Sequence, residues 1–300
     1  MDTDMTSINL SDYEVHSAEY PVFSFRNILS PELFDDLNKE FPPMSSMSER
    51  RGELFAQCHS SDAKGQFHQF CTEFESIRAL REMIDSEAFV FRLTKFLVSN
   101  RRSWGSYGSF LRLLVRTRLN RLTATVSLHC GVRGYGLTPH TDKADKFAAL
   151  IIYLGSGDFN AVATGGTAFY TPTENHLAKR FLRRLTGMNQ RGWRFVPFRF
   201  LPLVSVGLPR VYSKGESSDQ GAKALMAEFH HAHKRFFVSE FVPNSGALFF
   251  KDQLTWHEVD LANFPPHELR RSILINLYCV PALPKRIFHR FRDAIRPSVP

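Results

Sequence analysis

The chain lacks a long hydrophobic run, a cysteine framework and, over two long stretches, any acidic residue. Its longest uninterrupted apolar segment, residues 147–154, is eight residues long. A helix that crosses a bilayer needs roughly 20, so no spanning helix is expected. The four cysteines, Cys58, Cys71, Cys130 and Cys279, stand far apart with no C-x-x-C pair. That argues against a disulfide framework or a thiolate zinc site, and for reduced thiols in a cytoplasmic chain. Met1-Asp2-Thr3-Asp4 is acidic and no apolar stretch follows it, so no secretory signal is expected. Charge is sparse too, at 23% of residues, whereas 43% are hydrophobic and 28 are Phe. Such a composition excludes disorder, and 300 residues can bury a large core.

The missing acids are as informative as the bases that remain. Residues 88–141 and 175–215 contain no Asp or Glu and nine bases each, and residues 281–300 hold five bases and one acid. Net charge is +8, so the rest of the chain is acidic. Segregation of this kind points to a basic face or an anionic partner.

The first third reads as helical. Ser30-Pro31-Glu32-Leu33 is a helix start, Leu33, Phe34, Leu37 and Phe41 keep helical spacing, and Pro42-Pro43 stops the run. A second helical stretch is expected over about 71–98. The period then changes to two. Strands are expected at 123–130, 146–154 and around 165–170, then at 235–242, 247–251, 255–259 and 271–280. Residues 173–235 read as an insertion with a basic amphipathic helix (Leu177, Phe181, Leu185 on one stripe) and a second helix near 222–231. The expected division is a mostly helical support region at 1–119, a β-rich domain at 120–280 and a basic amphipathic tail at 281–300. Many short strands after a helical lead-in indicate a mainly β fold, a barrel or jelly roll with flanking helices.

One histidine among twelve heads an H-x-D or H-x-E triplet: His140-Thr141-Asp142. A loop held by Gly134, Gly136 and Pro139 is expected just before it, and a buried strand after it. On extended backbone, residues i and i+2 point the same way, so imidazole and carboxylate can converge on one metal. His257, in Trp256-His257-Glu258-Val259, offers a third ligand. Two His and one carboxylate leave one side of an octahedral metal open, as in non-haem Fe(II) oxygenases. Further along, strand parity places Arg270, Ser272, Leu274 and Asn276 on one face and Arg271, Ile273, Ile275 and Leu277 on the other. Arg270 can then grip a carboxylate bidentately with help from Ser272, and Arg271 is its rival.

These features resemble the Fe(II)/2-oxoglutarate-dependent oxygenases, in particular their prolyl-hydroxylase-like branch. The resemblance covers roughly 120–172 and 236–280. It rests on His140-Thr-Asp142, the strand Ala149-Leu-Ile-Ile-Tyr-Leu154, Gly165-Gly166-Thr167, and Trp256-His257-Glu-Val259 followed by Arg270-x-Ser272. It implies a double-stranded β-helix with iron on His140, Asp142 and His257. It also implies 2-oxoglutarate held at its distal carboxylate by Arg270, Tyr153 and Ser272. Dioxygen is the second co-substrate, ascorbate an optional reductant, and hydroxylation of a C–H bond the expected outcome. The 60-residue insertion departs from the family pattern.

The basic segments lead us to expect an anionic small molecule or lipid-linked glycan as substrate, with peripheral contact at the inner face of a membrane through basic helices. In the tail, Ile287, Phe288, Phe291 and Ile295 share one face. A soluble metabolite, amino acid or peptide is the alternative substrate. Nucleic-acid demethylation is disfavoured, because Asn276 stands where that branch has a second arginine. A non-catalytic jelly-roll binding protein is the remaining alternative, and the intact triad with Arg270 argues against it. His230, His231 and His233 read as insertion surface, His129 as a further candidate for the site, and Lys143 and Lys146 as candidates to meet an anion.

Overall fold

A computed structural model of the chain describes residues 8–17, 20–47, 49–62, 65–103, 114, 117, 120–142, 146–155, 164–186, 220–251 and 255–281. Twelve strands among them form two antiparallel sheets. We number the strands β1 (Tyr13–Ser17), β2 (Pro21–Phe25), β3 (Glu49–Arg51), β4 (Phe55–His59), β5 (Asn120–Gly131), β6 (Gly136–His140), β7 (Lys146–Leu154), β8 (Ala168–Pro172), β9 (His233–Val238), β10 (Ser245–Phe250), β11 (Trp256–Asp260) and β12 (Arg270–Pro281). The large sheet runs β1-β2-β10-β7-β12-β5-β4-β3 and the small one β6-β11-β8-β9. From β5 to β12 the chain passes back and forth between the sheets, which is the winding of a jelly roll, the double-stranded β-helix.

The four strands of the first third are a finding that the helical reading of that region missed. β2 pairs with β10, and β4 pairs with β5, so this region extends both edges of the large sheet. Its helices are α1 (Pro31–Lys39), α2 (Gln66–Glu73), α3 (Glu75–Asp85) and α4 (Glu87–Ser99). Ser30 caps α1 by accepting the Leu33 N–H, and Ser86 caps α4 by accepting the Phe89 N–H at 3.1 Å. Their apolar stripes, among them Leu33, Leu37, Ile77, Leu80, Leu93 and Leu97, bury the outer face of the large sheet.

Alternation along the strands sorts every side chain between this helix layer and the space between the sheets. Val126, Leu128, Ile273 and Ile275 join the helix-side core, whereas Ala149, Ile151, Tyr153 and Phe249 form the inner one. The insertion lies between β8 and β9 and contains α5 (Asn175–Thr186) and α6 (Gln220–Ala232). Phe181 of α5 and Phe229 of α6 pack on the outward ring of Trp256, at centroid separations of 5.8 and 5.2 Å. Phe181 is fully buried and Leu177 packs beside it, so these two residues of the stripe pack on the fold. The tail stripe lies outside the described residues. No helix among the described residues is long and apolar enough to cross a membrane.

Candidate metal centre and the buried arginine

His140 ends β6 and His257 is the second residue of β11, and the two are direct partners across the small sheet. Their rings stand 4.2 Å apart between centroids. Pro139, expected in a loop, lies inside β6, so the Gly-rich turn ends earlier and a strand presents His140. Asp142 follows two residues later. One ligand atom from each of His140, Asp142 and His257 lies within 4.8 Å of the others.

Hydrogen bonds from each imidazole set its usable tautomer. His140 Nδ1 lies 3.0 Å from the Thr138 carbonyl and His257 Nδ1 lies 3.1 Å from that of Thr255. A carbonyl only accepts, so both Nδ1 atoms carry the proton and both Nε2 atoms keep a lone pair. His257 Nε2 points at Asp142 Oδ2 from 3.3 Å. Burial, seconded by the Lys251 charge, holds the His257 pKa well below the ordinary histidine value, so the ring stays neutral. Neutral imidazole is the form that binds a metal. Two imidazole nitrogens and one carboxylate oxygen, backed by Phe249 with its ring 5.0 Å from that of His257, fit a divalent first-row metal that keeps open positions.

Two lysines reach Asp142. Lys146 Nζ lies 3.0 Å from Oδ1, and Lys251 Nζ contacts Oδ2. Lys251 directly follows β10 and is 3% exposed, with its ammonium 4.3 Å from the Phe249 ring centre. Burial pushes its pKa down. The sequence singled out Lys146 but nothing local marked Lys251. Lys143 lies outside the described residues.

On the large sheet, the guanidinium of Arg270 is 5% exposed and bonds only to neutral groups among the described residues. Nε donates to the Gly165 carbonyl, Nη1 to Ser272 Oγ at 3.1 Å and Nη2 to Thr167 Oγ1 at 3.5 Å. Its carbon lies 5.2 Å from the centre of the Tyr153 ring. The Tyr153 hydroxyl bonds Thr167 Oγ1 at 2.9 Å and Ser239 Oγ at 2.6 Å. A buried cation without a carboxylate is costly, which makes this guanidinium a candidate to hold an anion. Thr167 lay inside the Gly-Gly-Thr pattern, whereas Ser239, which also accepts the Thr167 N–H at 2.9 Å, carried no local signal.

Arg271 points to the opposite side, bonding the Asn38 carbonyl at 3.4 Å over the Phe41 ring. His129 pairs with Ser272 in register and so faces inward. His230 and His231 are exposed, as expected of insertion surface. His233 is not: it is 1% exposed, because β9 starts there and turns it under Phe229 and Trp256.

No family model matches the chain, and no curated protein matches it either. Solved structures do resemble it. One is an oxidoreductase of the 2OG-Fe(II) oxygenase family from Burkholderia pseudomallei, at 7% identity over 86% of this chain and 84% of that one, with a TM-score of 0.38. A Pseudomonas putida prolyl-4-hydroxylase has 10% identity over 86% and 92%, with a TM-score of 0.37. The alpha-ketoglutarate-dependent carbocyclase SnoK of nogalamycin biosynthesis has 8% identity over 94% and 89%, with a TM-score of 0.39. At such identities, chemistry has to be read from the chain's own residues.

Proposed function

We propose that the protein is an Fe(II)- and 2-oxoglutarate-dependent oxygenase that hydroxylates a C–H bond of an anionic substrate. The observation that carries this reading is the pairing of two half-sites between the sheets. A His-Asp-His set with open positions lies on one side, and a buried guanidinium without a carboxylate among the described residues lies on the other. A keto diacid has one end for each. Its carboxylate matches Arg270, with hydroxyls of Ser272, Thr167 and Tyr153 around it, and its keto-acid end suits a metal with vacant positions.

Fe(II), when bound with 2-oxoglutarate and dioxygen, would supply the oxidising chemistry: the keto acid would lose carbon dioxide and take up one oxygen atom to become succinate, and the other oxygen atom would enter the C–H bond. The chain's own groups bind, orient and exclude water. His140, Asp142 and His257 hold the metal, and the Thr138 and Thr255 carbonyls keep both imidazoles in the ligating tautomer. Arg270 fixes the co-substrate's direction. Phe169, Phe249 and Ile151 keep the space between the half-sites apolar and dry. Lys146 and Lys251 beside Asp142, with the acid-free stretches of sequence, support an anionic substrate.

Calorimetric titration tests this without knowledge of the substrate. In the absence of oxygen, 2-oxoglutarate should bind the Fe(II)-loaded chain at one site, and chelation of the metal or His140→Ala should abolish that binding. Equal binding with and without metal would overturn the reading.

A further inference from the structure

Resting on the oxygenase reading, we propose that the inner face of β4, β5 and β12 recognises the hydroxyl groups of a polyhydroxylated, sugar-like substrate, with Asn276 as its anchor. The inner face of the large sheet divides sharply. Across β7, β10 and β2 it is apolar and sealed by Ile151, Ala247, Phe249 and Val22. Across β4, β5 and β12, the register aligns Gln57 with His129 and Ser272, His59 with Ser127 and Leu274, and Thr125 with Asn276. Opposed residues share a face. These strands therefore present hydroxyl, imidazole and carboxamide groups to the space between the sheets. Gln57, His59, Thr125 and His129 are half-buried, whereas Ser127, Ser272 and Asn276 beside them are fully covered.

Asn276 supplies the second, independent sign of a ligand. It is 0% exposed, and neither its Oδ1 nor its Nδ2 has a hydrogen-bond partner among the described residues. Ile275 and Leu277 beside it face the helix layer, so the carboxamide faces inward with Arg270 and Ser272. Its neighbours in the row are Thr125 and Ala149, and beyond Ala149 stands Phe249, whose ring lies against His257. In this row Ala149 stands between Asn276 and the phenylalanine beside the metal site. A leucine, branched at the same carbon, would cost nothing in hydrogen bonding, whereas a buried, unsatisfied amide is destabilising.

The chemistry of the wall selects the ligand class. A carboxamide, and a Ser127 hydroxyl bonded to His59 Nδ1, each offer a donor and an acceptor at close quarters. A hydroxyl group answers both, and adjacent hydroxyls answer several such groups in a row. The wall contributes no carboxylate or ammonium in these rows, so it reads neutral polar groups, and the charge of the substrate is met elsewhere.

The test uses the full chain loaded with Mn(II) and N-oxalylglycine, a non-reacting analogue of the keto acid. Binding of that analogue to the wild-type protein, measured first, reports on the oxygenase reading by itself. Glucuronate and cyclohexanecarboxylate are then titrated separately, as two carboxylates of similar size with and without hydroxyls. We expect glucuronate to bind at least roughly ten-fold more tightly, the effect of one or two well-placed hydrogen bonds. Asn276→Leu should erase that difference while melting no lower than wild type, and Ser127→Ala should reduce it. Equal binding of the two probes, binding of neither, or a preference for glucuronate that survives in Asn276→Leu would each overturn the proposal. The last outcome would mark Asn276 as a core residue satisfied by water.

Discussion

Arg270 and Arg271 are neighbours in sequence and lie on opposite sides of the large sheet. The first is buried between the sheets beside Tyr153 and Thr167, and the second reaches the Asn38 carbonyl beneath the helices. The period of two along β12 makes them functionally unlike. Arg270→Met keeps the stem and removes the charge. It should raise the 2-oxoglutarate KM roughly ten- to hundred-fold, the worth of a buried charge-assisted contact. Arg271→Met should change KM less than about two-fold, because it gives up only a partly exposed hydrogen bond. Steady-state titration of the keto acid in both variants checks the ranking, and a reversed order would refute the role of Arg270.

The three ligands act as a set. Asp142→Ala removes the one anionic ligand, and its loss should abolish Mn(II) binding as seen by electron paramagnetic resonance. It also leaves Lys146 and Lys251 without the carboxylate they contact. The fold should therefore loosen more in Asp142→Ala than in His140→Ala. Thermal melts of the metal-free proteins compare the two. A His140→Ala protein that still binds Mn(II) with native affinity would count against the site.

What was readable in the sequence follows from which signals are local. His140-x-Asp142 and the split between Arg270 and Arg271 need only the two-residue period, which any strand obeys. The strand-borne His257 stood in a short apolar context, and its partnership with His140 follows once both strands enter one sheet. β1 to β4 were missed because they are three to five residues long and sit among helix signals. Such strands owe their existence to the edges that β10 and β5 offer them. Ser239 and Lys251 could not be foreseen for a related reason. Ser239 meets Thr167 across 72 residues of sequence, and Lys251 meets Asp142 only through the closure of the two sheets.

The Gly-Gly-Thr turn should tolerate no side chain. Gly165 has φ +112°, and a Cβ on Gly166 would lie 1.7 Å from the Ser239 carbonyl oxygen. That contact is with backbone, so relief requires β9 to move away from the turn. Gly166→Ala should therefore cost on the order of 1–3 kcal/mol, as overpacking does, and should displace Thr167 from both Arg270 and Tyr153. Chemical denaturation and the 2-oxoglutarate KM should worsen together. Loss of stability with an unchanged KM would show that Thr167 does not support the arginine.

Acid should weaken the insertion's seat through His233. Burial lowers its pKa from 6.5 to about 4, and its Nδ1 donates to the Phe229 carbonyl while its ring stacks on Phe229 at 4.6 Å. In the unfolded chain this histidine takes up a proton near pH 6.5, whereas the folded chain resists until about pH 4. Between those values the unfolded state binds more protons, so stability is complete above pH 6.5 and declines as pH falls. A shift of that size corresponds to about 2 kcal/mol lost between pH 7 and pH 5. His257, also held neutral by burial, adds a loss of the same sign. His233→Phe keeps an aromatic ring on Phe229 and removes the proton site. It should cost about 1 kcal/mol at pH 7 for the missing hydrogen bond, yet lose less than wild type on going to pH 5. The His257 contribution is common to both proteins and cancels in that difference. Urea unfolding of both at the two pH values measures it, and parallel losses would show that His233 is not the acid-sensitive group.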